Sequence, residues 1–282
     1  MRKGILSFTT ALLLALSLTL PALAQEKMEE KAAAQPPAAA KEEPKTEEPK
    51  PYFSGAVAGL SQYIWRGYEL SKDSVVIQPS LTVGYKGFEA NLWGNLDTND
   101  KYTKANKTNW NETDLTLSYT YDFGPAKLTG GYIYYALDGV DDSQELFLKI
   151  AGNFLLSPTL SVYQEIANYP GTYLNLGVSH SFNLTKEITL DLGASIGYQI
   201  SQTDKIVKYN SNLQPTNDKY NALHDGNLSI GLTIPFGKYF SVKPIVSYSF
   251  PLSDDAKYRI QGTSLSNKYD FFYGGVILTA SF

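Results

Sequence analysis

The chain contains no cysteine, which removes disulfide scaffolds, thiolate metal sites and thiol catalysis together. It also removes a lipoprotein-type anchor, because no acylatable Cys follows the N-terminal leader. Histidine is nearly as scarce: only His180 and His224 occur. Two separated histidines make a poor metal site. Lipid hydrolysis by a Ser/His pair needs the two side chains in hydrogen-bond reach. His180 shares a strand face with Val178 and Phe182 rather than with Ser, and His224 reads as a surface residue beside Asp225 in a long loop. The expectation is therefore a protein that is not an enzyme and has no cofactor. No basic patch interleaved with aromatics is present, so nucleic acid is not an expected partner. Beyond the first two dozen residues, no run approaches the apolar length of a spanning helix.

What is present begins with a leader over residues 1–24. Arg2 and Lys3 precede an apolar run from about Ile5 to Leu20, and Ala22-Leu23-Ala24 offers a small-x-small cleavage site. Residues 25–51 are rich in Glu, Lys, Ala and Pro and poor in anything that could form a core. Such a segment reads as an extended periplasmic linker, a tail or a tether toward peptidoglycan. Residues 52–282 then change character.

The chain has 21 tyrosines, 13 phenylalanines and 22 glycines, and all but Phe8 and Gly4 fall in this remainder. From Tyr52 onward, runs of alternating polarity are separated by turn residues, about twelve in all. In one, Leu115, Leu117, Tyr119, Tyr121 and Phe123 oppose Asp114, Thr116, Ser118, Thr120 and Asp122. In another, Ile188, Leu190, Leu192, Ala194, Ile196, Tyr198 and Ile200 oppose Thr189, Asp191, Gly193, Ser195, Gly197 and Gln199. Period two means a strand with two unlike faces. The polar face is made mostly of Gly, Ser, Thr and Asn, suited to lining a lumen rather than coating a water-exposed surface.

Connections alternate short and long. Lys86-Gly87, Gly124-Pro125-Ala126 and Gly237-Lys238-Tyr239 are short, whereas Asp97–Glu112, about Thr203–Asp225 and Ser253–Asn267 are long. An even strand count with sorted loops is the pattern of a transmembrane antiparallel up-and-down β-barrel with both termini in the periplasm. The first strand is expected over about Tyr52–Trp65, and the seventh, the least regular, over about Thr159–Asn168. Pro79 and Pro244 should each leave a local irregularity, since proline lacks a ladder donor.

The last strand ends the chain on an aromatic. Phe272, Gly274, Val276, Leu278, Ala280 and Phe282 share one face, resembling the signal strand that barrel-assembly machinery reads in bacterial outer-membrane proteins. The remaining partners implied by such a location are outer-membrane lipid, lipopolysaccharide and small ions or solutes.

Eleven ionisable residues fall on the inward register or its continuation. Glu89, Asp97, Glu112, Asp114, Asp122, Glu145, Glu165 and Asp191 are carboxylates; Arg66, Lys149 and Lys243 are bases. They either line a narrow pore or pair across the lumen and fill it. In a pore, the carboxylate majority implies cation preference. The competing class is a structural or adhesive barrel with a plugged lumen that acts through its loops. Asp97, Glu112, Asp114 and Arg66 are expected near the extracellular mouth, with Glu89 at the periplasmic end.

The motifs Ser61-x-Tyr63-x-x-Arg66-Gly67, Gln78-Pro79-Ser80 and Leu92-Trp93-Gly94-Asn95-x-Asp97 are similar to those of the TorF-type porin family, and Ser71, Glu112-x-Asp114-Leu115 and Glu145-Leu146 continue the likeness. The resemblance covers about residues 54–150 and thins out afterwards. It implies an outer-membrane barrel forming a passive pore, without an established substrate or site.

Overall fold

The computed structural model describes residues 50–282; the leader and almost all of the linker lie outside the described residues. Twelve antiparallel strands close into one barrel. In chain order they are β1 (Tyr52–Leu60), β2 (Val76–Tyr85), β3 (Phe88–Asp100), β4 (Lys107–Asp122), β5 (Ala126–Leu137), β6 (Ser143–Gly152), β7 (Thr159–Glu165), β8 (Gly171–Asn183), β9 (Thr189–Ser201), β10 (Asn221–Phe236), β11 (Phe240–Pro251) and β12 (Phe271–Ser281). Each strand pairs with its sequence neighbours, and β12 returns to β1 from Ser54↔Ser281 to Leu60↔Gly275. Phe282 and Phe53 then exchange both backbone hydrogen bonds, at 2.9 and 3.2 Å, so the terminal residue completes the seam. Closure leaves no strand edge unpaired, as a lipid-facing sheet requires.

The outer face is apolar. Leu81, Leu92, Leu117, Leu148, Leu176, Leu228 and Leu278, from seven different strands, are all exposed. At the end that carries both chain ends of the barrel and the short turns, aromatic pairs ring the exterior. Phe88 meets Tyr119, Tyr121 meets Phe123, and Tyr239 stacks on Phe282 at 5.1 Å. His180 joins this ring by an edge contact of 4.5 Å with Phe182. A greasy band bounded by aromatics is the exterior of a barrel that faces lipid.

The two prolines break the ladder without shifting it. Paired positions of β2 and β3 skip from Ile77↔Leu96 to Ser80↔Trp93, and those of β10 and β11 skip from Gly231↔Ile245 to Ile234↔Val242. On their other edges Pro79 and Pro244 remain in register with Val57 and Val276. The missing N–H thus costs one edge of the ladder only.

At the opposite end, here the loop end, the expected boundaries change. β1 stops at Leu60, five residues short of the expected Trp65, and the chain turns into the lumen. The long loop expected over Asp97–Glu112 is mostly strand, so both residues lie on the wall. The loop expected over Ser253–Asn267 contains a helix, α1 (Asp254–Thr263). Ser253 caps it by accepting from Ala256 N, and Asp254 and Asp255 sit in its first turn, favourable at the positive end of the helix. Ala256 and Ile260, one turn apart, are fully buried against Phe271 and Tyr273 of the inner face of β12. A second core joins Ala58, Leu60, Tyr63, Val76, Ile245 and Ile277. The inner face of β12 is therefore apolar near the loop end, where the sequence pattern implied small or polar residues. Elements folded into the lumen cover it.

Candidate functional site

The segment between β1 and β2 reaches across the lumen. Tyr63 packs on Trp93 of β3 with ring centroids 5.7 Å apart, and its N–H donates to Ser71 Oγ at 2.7 Å. Ile64–Trp65 and Tyr68–Glu69 then pair as a two-residue hairpin. Its central residues, Arg66 and Gly67, have φ of +47° and +79°. Positive φ at both positions matches the twist of a tight hairpin, but Arg is an uncommon occupant of the first. Gly67 is required twice over. A Cβ there would lie 2.9 Å from the Asp225 Cβ and 3.3 Å from Ile260 of α1.

The hairpin tip delivers Arg66 to the far wall. Its guanidinium donates to Glu145 Oε1 and Oε2 at 2.7 and 2.8 Å, while Tyr135 Oη donates to Oε2 at 2.8 Å. The rings of Trp65, Tyr163 and Tyr173 lie 4.4, 4.6 and 4.4 Å from the guanidinium carbon. Burial acts against the Arg66 charge, but the adjacent Glu145 carboxylate outweighs it and raises the pKa further above its usual value. The side chains retain only 13% and 4% of their exposure. This is a bidentate, desolvated pair, unlike the weak ion pairs of protein surfaces.

The rest of the hairpin is tied down equally far along the chain. Tyr68 donates to Gln199 of β9 at 2.8 Å and accepts from Arg259 of α1 at 2.7 Å. Glu69 is buried and accepts from Gln62, Tyr102 and Ser264. Hairpin and helix together narrow the loop end from within.

Beside the hairpin the wall is acidic: Glu112 and Asp114 stand on β4 opposite Asn95 and Trp93 of β3, and Tyr63 packs on Trp93. Burial, and then the charges of Glu112 and Asp114, push the Tyr63 phenol well above its usual pKa. One oxygen of Asp114 and one of Asp97 find no hydrogen-bond partner among the described residues. Among the described residues no group of His, Asp and Glu is placed to hold a metal ion.

Of the remaining expected residues, Glu165 is buried and folds the following loop, accepting from the N–H groups of Ala167, Asn168 and Tyr169. Asp191 and Lys243 pair at 2.9 Å, with Ser181 and Thr233 also donating to the carboxylate. Glu89 accepts from Tyr52 at 2.6 Å. Lys149 stands on the inward register between Thr129 and Ser161. Asp122 is exposed at a short turn, bonded to Gly124 N and 3.9 Å from Lys127. The site thus unites Arg66 with Glu145, beside Glu112 and Asp114, and leaves Asp122, Asp191, Lys149, Lys243 and Glu89 elsewhere.

His224 overturns its expectation. It is fully buried on β10, bonded to Tyr220 at 2.7 Å and set against the Tyr68 ring at 4.7 Å. A bulge explains this. The β9–β10 register shifts by one between Ile196↔Gly226 and Tyr198↔Leu223, which turns the consecutive residues His224 and Asp225 both inward. Asp225 then accepts from Tyr173 at 2.8 Å. The alternating pattern gave no warning of either residue, nor of Glu69 and Arg259. Tyr163 and Tyr173 were detectable as aromatics on a polar register.

Solved structures of similar backbone include the KdgM porin, at a TM-score of 0.50 and 14% identity, covering 81% of this chain and 99% of that one. The NanC porin matches at 0.50 and 9% identity, covering 80% and 98%. At these identities the likeness is one of fold. No protein-family profile matches the sequence, and no curated protein does.

Proposed function

We propose that the protein is a narrow outer-membrane channel that passes small solutes, cations before anions, through a constriction formed by residues 61–75. The carrying observation is the charge at that constriction. Glu69, Asp97, Asp100, Glu112, Asp114, Glu145, Glu165 and Asp225 are buried or half-buried there, against Arg66, Lys72, Lys101 and Arg259. A surplus of one sign in a narrow, low-dielectric passage concentrates counter-ions. The apolar exterior and the porin-like fold support placement in the outer membrane; both termini would then lie in the periplasm, where the segment 25–51 would serve as a tail or as a tether toward peptidoglycan. Outer-membrane lipid and lipopolysaccharide would then face the band of leucines, and barrel-assembly machinery would read the β12 face that ends in Phe282.

The inserted hairpin and helix favour a second reading, a plugged barrel acting through its loops. Reversal potentials across a KCl gradient in planar bilayers separate the two. Cation-selective conductance, weakened when Glu112 and Asp114 become amides and largest at low salt, supports the channel. No conductance supports the plug, and anion selectivity contradicts the charge argument.

A further inference from the structure

Arg66 occupies its site as a bound cation would. The groups that hold it belong to the wall, not to its own segment: Glu145 on β6, Tyr135 on β5, Tyr163 on β7 and Tyr173 on β8. Tyr173 is itself fixed by Asp225 at 2.8 Å and Asn175 at 3.0 Å. Four adjacent strands therefore present a carboxylate and two ring faces in a rigid array, and only Trp65 travels with the arginine. The array suits a planar, delocalised cation. A fork of N–H donors matches the carboxylate bidentately while the guanidinium plane meets the rings, which an ammonium cannot do at once.

We propose that this wall is a receptor for alkylguanidinium cations, that Arg66 is its tethered occupant, and that a free cationic guanidine displaces Arg66 and releases the hairpin. The effect on conduction rests on the channel reading; the binding does not. Charge narrows the ligand class further, because Asp114 stands opposite Tyr135, the partner of Glu145, with Glu112 two residues along the same strand, and Asp225 holds Tyr173; these carboxylates disfavour a guanidine carrying its own carboxylate. A tethered occupant competes at an effective concentration on the order of millimolar, so a free competitor must act near or above that. The left-handed backbone at Arg66 is a strained position for a residue with a side chain and weakens the tether.

Methylguanidinium is the probe, and Trp65 fluorescence the readout, with Trp93 and Trp110 replaced by Phe in every protein compared. Folding of each variant is verified by heat-modifiable migration. Arg66→Ala should bind methylguanidinium at least ten-fold more tightly than the Arg66 protein, and adding Glu145→Gln should abolish that binding. Methylammonium should not substitute. Arg66→Lys, which keeps the charge and loses the fork, should be displaced at several-fold lower probe concentration, and carries the test if Arg66→Ala fails to fold. No binding to Arg66→Ala, binding indifferent to Glu145→Gln, or equal displacement of Arg66→Lys and Arg66 overturns the proposal. In bilayers the probe should raise the conductance of the Arg66 protein several-fold and leave that of Arg66→Ala unchanged. Binding without conductance in any protein upholds the receptor and defeats the channel reading; conductance without binding does the reverse.

Discussion

The two ends of this barrel are built by different rules. At the end with the short turns, the wall is a bare ladder. Small polar residues face inward, aromatics ring the outside, and the Asp191–Lys243 pair joins side chains of the wall itself. At the loop end the interior resembles that of a soluble protein, with a capped helix, two apolar cores and a buried ion pair. Its contacts join residues far apart in the chain, Arg66 to Glu145, Tyr68 to Gln199 and Arg259 to Tyr68. The difference teaches that the ladder makes the barrel and the inserted segment makes the site.

Conductance variants sharpen this contrast. The largest change is expected from Glu145→Leu, which leaves the Arg66 charge buried and uncompensated. Breaking such a pair from one side costs about 3–5 kcal/mol, enough to eject the hairpin, so single-channel conductance should rise several-fold and residues 61–75 should become protease-sensitive. Gly67→Ala should do the same to a smaller degree. The new methyl meets Asp225 at 2.9 Å at a positive φ, at a cost of roughly 1–3 kcal/mol, and the expected result is a noisier channel with frequent openings. Lys243→Met should change conductance least. It removes a wall contact that does not touch the hairpin, and Ser181 and Thr233 still donate to Asp191. A Lys243→Met channel as altered as Glu145→Leu would erase the distinction between the two ends.

The same contrast explains what could be read in advance. Strand alternation is local, so the number of strands, the outward residues such as Leu117 and Leu192, and the closing face ending at Phe282 were all legible. The hairpin was not, because the alternation carries the expected first strand on to Trp65, past Leu60 where the chain leaves the wall. Its polar groups are satisfied by the wall rather than by water, and nothing within the segment announces that. Helix α1 carried a usable signal in Ser253-Asp254-Asp255-Ala256, a capping residue followed by acids. His224 and Asp225 were misplaced for a different reason. A single bulge defeats period-two counting, and only the paired strand fixes where it falls. Arg66 and Glu145 were each identified as inward residues, yet their pairing depends on a loop reaching across the lumen.

The central claim is that Arg66, at the tip of the hairpin, sets the width and weakens the cation preference of a conducting lumen. Single-channel recording of Arg66→Ala beside the unaltered protein, at low ionic strength across a KCl gradient, tests it most directly. The account predicts a several-fold larger unitary conductance together with a reversal potential shifted toward that of a more cation-selective pore, since a fixed positive charge has been removed. Equal conductance and an unmoved reversal potential in a folded Arg66→Ala barrel would contradict it.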